Sequence, residues 1–120
     1  MSLFDYYFKK HDEAVEKYGE RIVVIMQVGS FYEIYATQHL GPNLDKICEI
    51  TELAKMKRNR HDHLSKTNPY MAGFPSINYS IWSKHIFKLN KEGYTVVRIE
   101  QSGFVGNLKR RIAQIHNPPT

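Results

Sequence analysis

The sequence predicts an α/β chain of the mixed α+β kind, a mixed β-sheet flanked by helices. Three observations carry that prediction. Apolar residues recur at helical spacing from Phe4 to Tyr18 and again from Tyr79 to Leu89. Two β-branched runs, Ile22–Val28 and Tyr94–Ile99, read as strands. Beyond a first hairpin the two patterns alternate, as they do where helices pack on a sheet. With 120 residues, 42% of them hydrophobic, one domain with one core is expected.

Ser2 and Asp5 form a capping-box start for the first helix, in which Phe4, Tyr7, Phe8, His11, Val15 and Tyr18 share a face and Gly19 is the stop. Ile22–Val28 is nearly continuous in apolarity, which suits a central strand covered on both sides. Gly29-Ser30 then separates it from Phe31–Ala36, and two turn residues with glycine first fit a tight II′ hairpin. After Gly41-Pro42, Asn43 caps a short helix with Leu44, Ile47 and Cys48 on one side. Glu52–Lys57 reads as a strand, residues 58–69 as a mobile basic loop, and Tyr70–Pro75 re-enters the body. Asn78 or Ser76 caps a helix whose Tyr79, Trp82, Ile86 and Leu89 face the core, with Gly93 at its end. Tyr94–Ile99 and Ile112–Ile115 complete the strands. Residues 1–116 are thus read as one domain and 117–120 as the start of a linker.

The longest apolar run is Ile22–Met26, far short of the 18 or more residues of a membrane span, and the Met-Ser-Leu-Phe-Asp start has no secretory character. An intracellular protein without a membrane is expected. Cys48 is the single cysteine, so packing and not a disulfide must hold the fold. The net charge of +5 is unevenly placed: residues 1–53 carry five basic against nine acidic residues, residues 54–120 twelve against three. Such asymmetry suits a surface that sits on a polyanion, although a merely solvated basic face has the same composition.

Catalytic and metal readings fare less well. His61-x-His63 with Asp62 and the distant Cys48 lacks the ligand spacing of a structural zinc site, so no metal is expected. A nuclease would need acidic residues converging on Mg²⁺, with Glu33, Asp45, Glu49, Glu52 and Glu100 as the pool, but Glu52-Leu53-Ala54-Lys55 has one residue too many for a Glu-x-Lys pair on one side of a strand. No glycine-rich phosphate loop ending in Lys-Ser/Thr is present.

The hairpin carries more information. Period-two alternation sets Phe31, Glu33 and Tyr35 on one face, with Phe31 beside the turn. One reading packs Phe31 under the basic loop and pairs Glu33 with one of its lysines. The other treats the ring as a wedge for a base step and the carboxyl group as a hydrogen-bonding partner for the disturbed base.

Gly29-Ser30-Phe31-Tyr32-Glu33-Ile34-Tyr35 resembles the Gly-x-Phe-Tyr-Glu-Leu-Phe/Tyr segment of the N-terminal mismatch-recognition domain of MutS-family DNA mismatch repair proteins. Met71-Ala72-Gly73-Phe74-Pro75, Gly93-Tyr94 through Glu100-Gln101, and Asn117-Pro118-Pro119-Thr120 resemble later segments of that domain in the same order. The resemblance implies a MutS N-terminal fold. It also implies that Phe31 stacks on a mispaired or unpaired base from the minor groove while Glu33 hydrogen-bonds it, and that Val28, Met56, Lys57 and Arg58 fall where the family approaches DNA. The expected ligand is double-stranded DNA with mismatches or small loops. No cofactor and no catalytic activity are expected of this domain. ATP and Mg²⁺ would belong to an ATPase domain absent here, in a longer, dimeric protein that engages a MutL-type partner and lies with the cell's DNA. The alternative is a MutS homologue whose domain serves as a branched-DNA or structural clamp without sensing mismatches.

Overall fold

A computed structural model describes residues 2–104 and 106–119. Its elements are α1 (Leu3–Tyr18), β1 (Ile22–Val28), β2 (Phe31–Ala36), α2 (Leu44–Thr51), β3 (Met56–Lys57), β4 (Tyr70–Pro75), α3 (Tyr79–Lys91), β5 (Thr95–Phe104) and β6 (Asn107–His116). The strands form one mixed sheet in the order β3-β4-β2-β1-β5-β6, in which β1 and β5 are parallel and the other neighbours antiparallel. The expected α+β layer is therefore present, and β1 is central.

Helix α1 starts from the full Ser2–Asp5 capping box and lies on one face of the sheet. Its first turn sets Phe4 edge-on to Tyr35, with ring centres 5.1 Å apart, and Tyr7 is fully buried with its hydroxyl donating to the Val24 carbonyl at 2.7 Å. Its last turns, with Ala14, Lys17 and Tyr18, face Val97, Ile112 and Ile115 across a small cavity. On the other face α3 packs through Ile86, Leu89 and Trp82, whose ring meets Tyr32 edge-on at 5.8 Å. Buried Ile22–Met26, Ile34, Val96 and Ile99 form the layer between.

Several expectations change. The predicted Glu52–Lys57 strand shrinks to Met56–Lys57, because Glu52 closes α2 in the left-handed region at φ 65° and its amide donates to the Cys48 carbonyl. Residues 58–69 are organised around the buried Asn68. Its side-chain oxygen accepts from the Asn59 amide at 2.7 Å, and its amide group donates to the carbonyls of Asn59, Asp62 and His63. Tyr79 stands 70% exposed instead of facing the core: it is the first residue of α3, and its ring rests edge-on against Trp82. Strands β5 and β6 run well beyond the predicted segments, and their shared ladder continues to Phe104 and Asn107. Asn117–Pro119 adopt no helix or strand, whereas Met1, within the predicted domain, and Thr120, within the predicted linker, lie outside the described residues.

Three partly or largely buried histidines give the fold a pH dependence. Burial pushes the His11, His85 and His116 imidazoles below the ordinary value of 6.5, with Lys88 and Lys84 adding to the effect at His85 and Arg98 at His116. His116 accepts the Arg98 Nε–H at 3.0 Å, which requires its neutral form. An unfolded chain then binds more protons than the folded one just below pH 6.5, so stability is full above that value and falls as pH drops towards the folded-state values. Urea midpoints at pH 7.5 and pH 5.5 check this: a lower midpoint at 5.5 is expected, and equal midpoints would contradict it.

Candidate nucleic-acid interface

Paired residues in neighbouring strands share a face. The register Phe31↔Val28 and Glu33↔Met26↔Ile99↔Ile112, with Tyr35↔Met71↔Met56 two residues further along β2, assigns all of these to the α1 face. Helix α1 covers the Tyr35 end of this face and leaves the Phe31 end bare. Tyr35 is fully buried; Phe31 is 46% exposed and Glu33 and Val28 are half-buried. A bare ring thus stands at the turn with a carboxylate two residues behind it.

The turn is a two-residue connection with Val28 opposite Phe31. Gly29 has φ +62° and Ser30 does not enter the positive-φ region, which is the II′ geometry that the sequence predicts. Two clasps fix it. Gln101 on β5 accepts the Gly29 amide through Oε1 at 3.3 Å and donates Nε2 to the Gly29 carbonyl at 3.2 Å, while Gln27 Oε1 accepts the Gln101 amide. On the far side the Ser76 amide donates to the Ser30 carbonyl at 2.9 Å. The loop that presents Phe31 is therefore held from both flanks. Gln101→Ala is expected to raise hydrogen exchange at the Gly29 amide and cost about 1 kcal/mol of stability; unchanged exchange would show that the clasp does not hold the turn.

Glu33 does not pair with a basic loop residue among the described residues. One of its carboxylate oxygens instead accepts a short hydrogen bond from the Tyr35 hydroxyl. The Arg58 guanidinium lies 5.2 Å from the centre of the Phe4 ring and close enough to the Tyr35 hydroxyl to ease its ionisation slightly. Across from Glu33 on β4 is Gly73, where a Cβ would come within 3.1 Å of the Tyr32 carbonyl oxygen and 3.7 Å of Glu33 Cγ. The strip beside the carboxylate is thus free of side chains between Met71 and Pro75.

The other residues singled out in the sequence divide. Met56, 52% exposed, is on the α1 face, and Arg58, two residues on, reaches back across it. Lys57 pairs with Tyr70 and points to the opposite face, where its ammonium donates to the Asp62 carbonyl at 2.8 Å. Alternation on β6 sets one further basic residue, not singled out in the sequence, on the α1 face: Arg110 pairs with Gln101, about 14 Å, three strand spacings, from Phe31. Its Nε is buried with no hydrogen-bond partner among the described residues. The signal for it is the basic run Lys109-Arg110-Arg111, whose middle residue faces away from its neighbours in a strand.

Among the described residues no group of three or more His, Cys, Asp or Glu side chains is placed to hold a metal, and no helix is long and apolar enough to cross a membrane. The fold and site together define an α+β module with a clasped hairpin, an exposed aromatic at its turn and a tethered carboxylate behind it. MutS domain I matches residues 7–120, and the chain belongs to that family. It is also similar to a protein described as putative DNA mismatch repair protein mutS homolog L359 of Acanthamoeba polyphaga mimivirus. The two are 28% identical over 125 residues, spanning 99% of this chain and 11% of that protein.

Proposed function

We propose that this chain is the mismatch-sensing module of a DNA mismatch repair protein, which binds mispaired or unpaired bases in duplex DNA through Phe31 and Glu33. The observation that carries the reading is the exposure of the Phe31 ring on a turn clasped from both sides. A rigidly presented ring can enter a weakened base step, and a mismatched step unstacks at less than the few kcal/mol that a matched one demands. Aromatic stacking accepts any base, so the ring detects displaceability and Glu33 responds to the exposed base edge. Val28 and Met56 would line the approach, and Arg58 and Arg110 would meet phosphates, which position the domain without reading sequence. The matched relative is about nine times as long as this chain. In a protein of that kind the module would act beside an ATPase domain with its ATP and Mg²⁺, in a dimer and with a MutL-type partner.

The test is titration of the chain with matched duplex and with duplex carrying one unpaired thymine, at two salt concentrations. Tighter binding to the unpaired site and a steep loss with salt are expected. Arg58→Ala and Arg110→Ala should each weaken both duplexes alike and lower the salt slope by about one unit, whereas Lys57→Ala, whose ammonium is turned to the other face, should change it less. Equal affinity for the two duplexes would favour the structural-clamp alternative.

A further inference from the structure

The carboxylate of Glu33 is held by a residue that the wedge reading does not use. Tyr35 is fully buried, and its ring is gripped edge-on by Phe4 at 5.1 Å and Tyr7 at 5.0 Å. Its hydroxyl therefore has a fixed position, and from there it donates to Glu33 Oε1. Glu33 is half-buried at the bare corner, and among the described residues its Oε2 has no hydrogen-bond partner. We propose that Tyr35 is the positioning residue for Glu33: its hydroxyl ties down one carboxylate oxygen and so presents the other, already oriented, to a displaced base.

The chemistry suits that task. Burial, and after it the Glu33 carboxylate itself, push the Tyr35 hydroxyl well above the ordinary tyrosine range, so it remains a proton donor at every pH at which the protein works. A lysine or arginine in its place would bring a compensating charge and a mobile stem. The phenol adds neither. Gly73 opposite leaves the same strip clear: a Cβ there would rest in contact with the Glu33 stem at 3.7 Å and press on the Tyr32 carbonyl oxygen at 3.1 Å. A side chain ordered before binding escapes the ordering penalty that a loose glutamate would meet on the base. Tyr35 and Glu33 stand two residues apart on one strand face, and the burial of Tyr35 makes that proximity a tether.

This inference rests on the wedge reading, and a mutant cycle separates the two. Wild type, Phe31→Ala, Glu33→Ala, Tyr35→Phe and the Glu33→Ala/Tyr35→Phe double variant are titrated with matched duplex and with duplex bearing one unpaired thymine, with urea midpoints recorded for each. Tyr35→Phe keeps the ring and its packing and removes only the tether. It is expected to lower the preference for the unpaired site about three- to tenfold, and to lower it no further once Glu33 is alanine. A loss that persists in the Glu33→Ala background, or no loss at all, would overturn the positioning role while leaving the wedge reading intact. Retention of the full preference by Phe31→Ala would instead overturn the wedge reading, and this inference with it.

Discussion

Replacing Phe31 with alanine is expected to erase the preference for a mismatched or unpaired site while leaving the domain folded. A phenylalanine buried in a core costs about 3 to 5 kcal/mol on truncation. Phe31 is 46% exposed and lies beyond the line taken by α1, opposite Pro75 on one side and half-buried Val28 on the other. Its removal should therefore cost about 1 kcal/mol or less of stability. Stacking on a displaced base is worth about 1 to 3 kcal/mol, so losing it removes on the order of five- to a hundredfold in affinity at the defective site and little at a matched one. Titration and thermal unfolding of the same sample check both halves. A chain that melts on this substitution but still prefers the unpaired site when folded would show that Phe31 is core and not wedge.

The largest effect on stability is expected at Gly41, remote in sequence from the wedge but seated beneath its support. Gly41 has φ +84°, and a Cβ there would lie 2.5 Å from the Tyr35 carbonyl oxygen and 3.1 Å from both Ala36 Cα and Phe8 Cε1. Two of those atoms are backbone of β2, so the clash cannot be relieved by a flexible side chain. Gly41→Ala combines left-handed strain with overpacking, about 2 to 4 kcal/mol together, or roughly 10 °C in Tm for a domain of this size. The strain falls on the strand that carries Tyr35 and Glu33, so the preference for an unpaired site should weaken as well. An unchanged Tm would mean that the segment before α2 shifts freely and does not brace β2.

The fold is legible in the sequence wherever local signals and tertiary packing agree. Helix α1 is legible to its ends because cap, periodicity and glycine stop coincide, and β1 because a β-branched run has few other uses. The hairpin and its exposed ring follow from two turn residues and period-two alternation. The outer half of β5–β6 is not legible: Ser102, Gly103 and Lys109–Arg111 carry no apolar alternation, and their ladder is stabilised by pairing between the two strands. The start of β3 is read four residues early, because nothing local in Glu52–Lys55 marks the left-handed Glu52 that closes α2. The order within residues 58–69 depends on one asparagine, Asn68, whose hydrogen bonds no composition rule reveals.

At the site the same division holds. The shared face of Phe31 and Glu33 beside the turn is legible from strand alternation, whereas Val28, Met56 and Arg58 enter only through the family resemblance; Val28 and Met56 lie on that same face and Arg58 reaches back across it. Strand alternation turns Lys57 away from them. Gln101 and Tyr35 carry no signal of their own as contributors because each acts on another residue: Gln101 on the Gly29 backbone, Tyr35 on the Glu33 carboxylate. Their roles depend on which strands are neighbours, and the parallel pairing of β1 with β5 that brings Gln101 to the turn is set by the crossover through α3.

On the proposed reading the Phe31 ring meets the displaced base. NMR of the chain with Phe31 selectively ring-labelled, bound to duplex carrying one unpaired thymine, tests it most directly. The expected result is a nuclear Overhauser contact between the Phe31 ring protons and the base at or beside the unpaired position, absent with matched duplex. Phe31 ring signals that stay unshifted at saturation, while resonances of Lys84, Lys88 and Lys91 on α3 move, would place the DNA on the opposite face of the sheet and contradict the account.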